Sequence, residues 1–100
     1  MILECVDLRV PAGKEAEFER AVAHAFDTVL SQSPGYRSHQ VQRGVESPQR
    51  YLLWIYWNTL EDHTQGFRES PRFAQWRAIV GPFFAEPPQV EHFRLVLESD

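Results

Sequence analysis

Residues 50–71, RYLLWIYWNTLEDHTQGFRESP, decide the architecture of this chain. Tyr51–Asn58 is aromatic and β-branched enough to form a strand. Its odd positions are Tyr51, Leu53, Ile55 and Trp57, and its even positions are Leu52, Trp54 and Tyr56. Successive side chains of a strand leave on opposite faces, so both faces here are apolar. An antiparallel sheet with one wet face alternates apolar and polar residues instead. Each face therefore needs a cover, and a chain of 100 residues has few elements to supply two. A second subunit is the expected source of the other.

Outward from this strand, the punctuation defines the remaining elements. Ile2–Val10 reads as a strand stopped by Pro11, which has no N–H for a ladder. Helical spacing starts at Glu15. Phe18, Val22, Ala25, Phe26, Val29 and Leu30 form one apolar stripe, opposite Lys14, Glu17, Arg20, His24 and Asp27. Ser33–Pro34–Gly35 ends that helix. Tyr36–Val45 is a more polar strand, joined to Tyr51–Asn58 through a turn at Glu46–Gln49. Thr59 caps a second helix that is interrupted near Gly66, and Ser70–Pro71 restarts it as cap and first residue. Phe73, Trp76, Ile79 and Val80 give its apolar side, and Val90–Leu97 is the last strand. The order β-α-β-β-α-β predicts an α+β, ferredoxin-like domain over residues 1–100. Both helices lie on one face of a four-stranded antiparallel sheet. The bare face, carrying Leu52, Trp54 and Tyr56, is expected to pack against a second copy.

Composition narrows the function classes. A formal charge of −4 argues against a nucleic-acid partner. No apolar run approaches the ~20 residues of a membrane span, and the first residues carry no basic leader, so a cytoplasmic protein is expected. The single Cys5 excludes an internal disulfide or a multi-cysteine zinc site, and reads as a small buried hydrophobe. His39 and His92 stand isolated on strands, without a metal partner at ligand spacing.

Three segments, PAGKEAEFERAV, SPGYRSHQV and YLLWIYWNTLEDHTQGFRESPRFAQW, carry a resemblance that extends over essentially the whole chain. With them the sequence resembles the antibiotic biosynthesis monooxygenase-like proteins of the dimeric α/β-barrel superfamily. The resemblance implies a homodimer in which two sheets pair into a barrel. Some members of that family oxidise polyketide anthrones with O₂ and no cofactor, and others cleave haem. The haem-degrading set falls at or near Val6, Gly66 and Arg77, and none of its residues is present. The anthrone-oxidising set matches Trp57 and Arg77, with His63 in place of a tyrosine and Leu53 in place of an asparagine. The resemblance thus implies a metal-free, cofactor-free oxygenase, or a non-catalytic dimer that holds a small aromatic or apolar ligand.

The residues themselves support a site in the same place. Trp57 shares a strand face with Leu53 and Ile55, and His63 lies one turn into the next helix. Val6, Phe67 and Phe73 are expected to complete an apolar cavity between sheet and helices. Oxygenation without a cofactor needs an electron-rich substrate anion. His63 can take a proton near neutral pH, and Arg77 can hold the resulting enolate or phenolate. The competing reading makes Trp57 plain core, His63 a helix-start residue and Arg77 a solvated one.

Overall fold

The computed structural model describes residues 1–100. The strands are β1 (Ile2–Arg9), β2 (Tyr36–Arg43), β3 (Arg50–Trp57) and β4 (Gln89–Phe93), and the helices are α1 (Glu15–Thr28) and α2 (Pro71–Val80). The sheet order is β2-β3-β1-β4 with every neighbour antiparallel. The expected ferredoxin-like α+β fold is therefore present. No helix is long and apolar enough to cross a membrane.

The parity read from β3 sorts the two faces. Tyr51, Leu53, Ile55 and Trp57 are buried beneath the helices, while Leu52, Trp54 and Tyr56 are half-buried on the other side. β1 obeys the same rule, because its register sets Val6 against Leu53 and Leu8 against Tyr51. Phe18, Val22, Ala25 and Phe26 of α1 close over these residues, and Trp76 of α2 meets the Phe26 ring edge-on at 4.9 Å.

Two expectations are corrected. The last strand stops at Phe93 rather than Leu97, and Leu95, Val96 and Leu97 are exposed. Its sequence stays strand-like, but the register that sets Phe93 against Leu3 leaves almost no β1 for the following residues to pair with. Cys5 is only half-buried, because its parity places it opposite Trp54 on the face away from the helices.

The connection from β3 to α2 carries the site. Asp62 N–H donates to Thr59 Oγ1 at 3.2 Å and Thr59 N–H donates to Asp62 Oδ2 at 3.1 Å, a reciprocal cap at the expected place. A π-helical turn follows over Asp62–Phe67. Such widened turns cost regular hydrogen bonding and concentrate at functional sites. Gly35 anchors the turn from outside. Its φ is +87° and a Cβ there would collide with the Asp62 side chain, while its carbonyl accepts from Asn58 N–H at 2.8 Å. Ser70 caps α2 by accepting from Arg72 N–H, with Pro71 as first residue.

Candidate active site

One cavity of about 410 Å³ lies between the sheet and the second helical region. Val6, Leu53 and Ile55 form its floor, with Phe67, Phe73 and Trp76 across from them. His63 and Arg77 also line it, so seven of the expected site residues converge on one space. Trp57 does not. Its indole is fully buried and lies outside the cavity lining, behind a residue that the sequence reading passed over.

That residue is Glu4. On β1 it occupies the inward parity shared by Val6 and Leu8, and it is the one acid there, 5% exposed. Trp57 Nε1–H donates to Glu4 Oε1 at 2.9 Å, a diagonal contact across the β1–β3 pair. Glu4 Oε2 lies 3.3 Å from His63 Nε2, and His63 Nδ1 lies 2.7 Å from His92 Nε2. The register puts His92 of β4 directly opposite Glu4 on the same face. Glu4, His63 and His92 thus form one row of close polar contacts from the cavity wall to the edge strand. No group of three or more His, Cys, Asp or Glu side chains is arranged to hold a metal ion.

Burial dominates the electrostatics of this row. It pushes the Glu4 carboxyl up to about 7, against the Trp57 hydrogen bond and the Arg68 guanidinium, which pull the other way. It drives the His63 imidazole down to about 3, reinforced by the positive charges of Arg68 and His92. His92 is lowered as well, by burial and then by Arg68. The Glu4–His63 contact has the distance of an ion pair, yet both shifts favour the uncharged forms. It is therefore a close polar contact with an un-ionised imidazole rather than an ion pair, because separating charge in so buried a site costs more than the contact returns.

Two guanidinium groups border the cavity. Arg77 is exposed and lies over the Phe73 ring, with Cζ 5.8 Å from its centroid. Arg68, whose N–H donates to the His63 carbonyl at 2.9 Å, completes the polar end. The strand parity of β1 was the signal that could have exposed Glu4. Nothing local marks His92, because only the strand register brings it to His63.

The sequence and the fold are similar to those of known proteins. The sequence profile described as "Antibiotic biosynthesis monooxygenase" matches residues 1–79. The chain belongs to the antibiotic biosynthesis monooxygenase family. It is 39% identical over 94 residues to the uncharacterised protein YczJ of Bacillus subtilis, covering 94% of this chain and 98% of that one. A crystal structure from Bordetella bronchiseptica, described as a "putative antibiotic biosynthesis monooxygenase", superposes with a TM-score of 0.90 at 42% identity, over 96% of this chain and 97% of that one. SnoaB of Streptomyces nogalater, a cofactor-independent oxygenase, superposes with a TM-score of 0.81 over 97% of this chain and 94% of that one. Its identity is 16%, a likeness of fold.

Proposed function

We propose that this protein is a cofactor-independent monooxygenase that converts an aromatic or polycyclic phenol or ketone into a quinone-type product. The observation that carries this reading is a largely apolar cavity with the buried Glu4 and His63 set side by side into one wall and the exposed Arg77 in its lining. Its volume falls in the ~300–1,000 Å³ range of small-molecule sites. The family membership and the likeness of fold to SnoaB support it.

In this scheme the substrate supplies the electrons. Its acidic C–H or O–H proton passes to the Glu4–His63 pair, and Arg77 stabilises the anion that remains. The anion gives one electron to O₂, and the carbon radical and superoxide combine into a peroxide anion, which takes the proton back from the pair as a hydroperoxide. The remaining C–H proton on that carbon then leaves as the O–O bond breaks, so that the C=O forms and the departing hydroxide joins that proton as water. One O₂ is consumed and one water is released. Trp57 acts by holding the Glu4 carboxyl in place. Leu53, where the anthrone oxidisers carry an asparagine, gives this cavity one polar contact fewer, which favours a less oxygenated substrate.

We assign the working unit as a homodimer joined through the Leu52, Trp54 and Tyr56 face. The half-buried state of these side chains and the apolar Leu3 beside Tyr56 support that assignment. Oxygen uptake by the pure protein with a panel of anthrones and hydroquinones tests the activity. The expected result is one O₂ consumed per quinone formed, unaffected by chelation and dialysis. No uptake across the panel, or uptake only with added flavin or iron, overturns it.

A further inference from the structure

Glu4 has two unusual properties together. It is a buried carboxylic acid facing an apolar cavity, and it is connected through His63 to His92 on the edge strand. An apolar ligand that fills the cavity shuts water away from it, so a protonated Glu4 needs another exit for its proton. The row through His63 and His92 is such an exit, since its first link spans 3.3 Å, its second is a 2.7 Å hydrogen bond, and His92 sits half-buried on the edge strand. We propose that Glu4 is the proton-accepting residue of this cavity, and that His63 and His92 discharge it to solvent while the ligand is bound.

The row has two self-consistent states. In one, Glu4 carries the proton and donates to His63 Nε2, His63 donates through Nδ1–H to His92 Nε2, and His92 holds its own proton on Nδ1. In the other, Glu4 is ionised, His63 donates through Nε2–H to it, and His92 donates through Nε2–H to His63 Nδ1. The number of hydrogen bonds is the same in both. Passing from the first to the second moves one proton along each link and releases one proton from His92 Nδ1. No imidazolium forms at rest in either state. Trp57 Nε1–H serves Glu4 Oε1 throughout and leaves Oε2 for His63. The other charge near the row, Arg68, favours the ionised Glu4 and opposes a positive His63 or His92. The chemistry is thereby divided. His63 is a positioning and relay group with both nitrogens engaged, while Glu4, which lines the cavity, touches the substrate.

For catalysis this inference rests on the oxygenase reading, whereas the relay itself does not. The test is a titration of the ¹⁵N-labelled full-length protein by NMR from about pH 5 to about pH 9, which distinguishes the two neutral tautomers from the imidazolium. His63 is expected to change from the Nδ1–H to the Nε2–H tautomer as pH rises, without a doubly protonated stage. A single tautomer throughout, or an imidazolium at the acid end, overturns the relay. Glu4→Gln keeps the shape and fixes the direction, because its carbonyl must accept from Trp57 and its amide must donate to His63. His63 in that variant should stay Nδ1–H at every pH, and a persisting switch overturns the assignment to Glu4. With a substrate that the wild type oxidises, Glu4→Gln should lose ~10²–10⁴-fold in turnover and keep its binding. Unchanged turnover removes Glu4 from the chemistry. If the wild type consumes no oxygen with any substrate, the function fails and the titration alone decides the relay.

Discussion

Asp7 and Glu4 stand on the same strand and point to opposite faces of the sheet, and their environments drive them to opposite protonation states. Asp7, on the face away from the helices, receives Arg50 Nε–H at 3.1 Å and Nη2–H at 2.7 Å, and those bonds hold its carboxyl below the usual range. Glu4, under the helices, has an indole and an imidazole as partners, and burial raises it to about 7. A structural acid is kept charged by a cation within bonding distance. An acid that must exchange protons near neutrality is kept dry, bordered by neutral donors and given a path to solvent. The two faces therefore hold acids of the same strand in opposite electrostatic environments.

The largest effect is expected from Trp54→Glu. A carboxylate introduced into an apolar face between two sheets costs several kcal/mol, while a specific interface of this kind buries more than ~1,000 Å². Sedimentation should show a dimeric wild type and a monomeric or unfolded variant. A monomeric wild type at micromolar concentration would remove the association role from that face.

Next comes Trp57→Phe. It keeps an aromatic ring but deletes the indole N–H that Glu4 Oε1 accepts. Leaving a buried acceptor unsatisfied, with a small void, should cost about 1–3 kcal/mol in denaturant unfolding. Because that hydrogen bond pulls the Glu4 pKa down, its loss should move the His63 tautomer switch to higher pH. A switch that moves down or stays put would mean that Trp57 does not hold the carboxyl.

A smaller but more diagnostic effect lies in the pH dependence of stability. Glu4 is raised from 4.5 to about 7, so the folded state holds a proton that the unfolded state has lost, and this contribution falls as pH rises from 4.5 to 7. His63 is lowered from 6.5 to about 3, so the unfolded state holds the extra proton, and this contribution rises as pH rises from 3 to 6.5. Between 4.5 and 6.5 the two slopes oppose each other and cancel. His92 and His39, both lowered by burial, leave a residual upward slope in that window. Glu4→Gln removes the opposing member. Its unfolding free energy should then climb by about 1.4 kcal/mol more per pH unit than the wild type's across the same window. Parallel profiles would show that Glu4 does not carry the proton in the folded state.

The sheet, both helices and the lining of the cavity were legible because each rests on local signals. Alternation in β3 separated Leu53 and Ile55 from Leu52 and Trp54, and the Thr59 cap and Ser70–Pro71 marked the helix starts. The tail beyond Phe93 was misread because strand propensity says nothing about whether a partner strand is still alongside. The proton row was missed for a related reason. Glu4, His63 and His92 come from the two ends and the middle of the chain, and only the pairing of β1 with β3 and β4 assembles them. Glu4 alone was within reach, as the one acid at an inward position of β1.

The smallest structural effect should come from Arg77→Ala, which sharpens the contrast from the chemical side. Arg77 is exposed on α2 and its nearest aromatic partner is the half-buried Phe73, so its removal disturbs no buried hydrogen bond. Stability should change by no more than about 0.5 kcal/mol, as for other surface substitutions. The Glu4–His63–His92 row should titrate as before, because Arg77 is not among the groups that shift any of the three. Its role is confined to the anion that forms after proton transfer. Oxygen uptake should therefore fall by ~10²–10³, the loss typical of one anion-stabilising donor, while a neutral, non-ionisable analogue binds as well as to the wild type. If that neutral analogue is also lost, Arg77 shapes the cavity mouth rather than serving the anion. The stabilising charge would then have to come from Arg68, the other guanidinium at the rim.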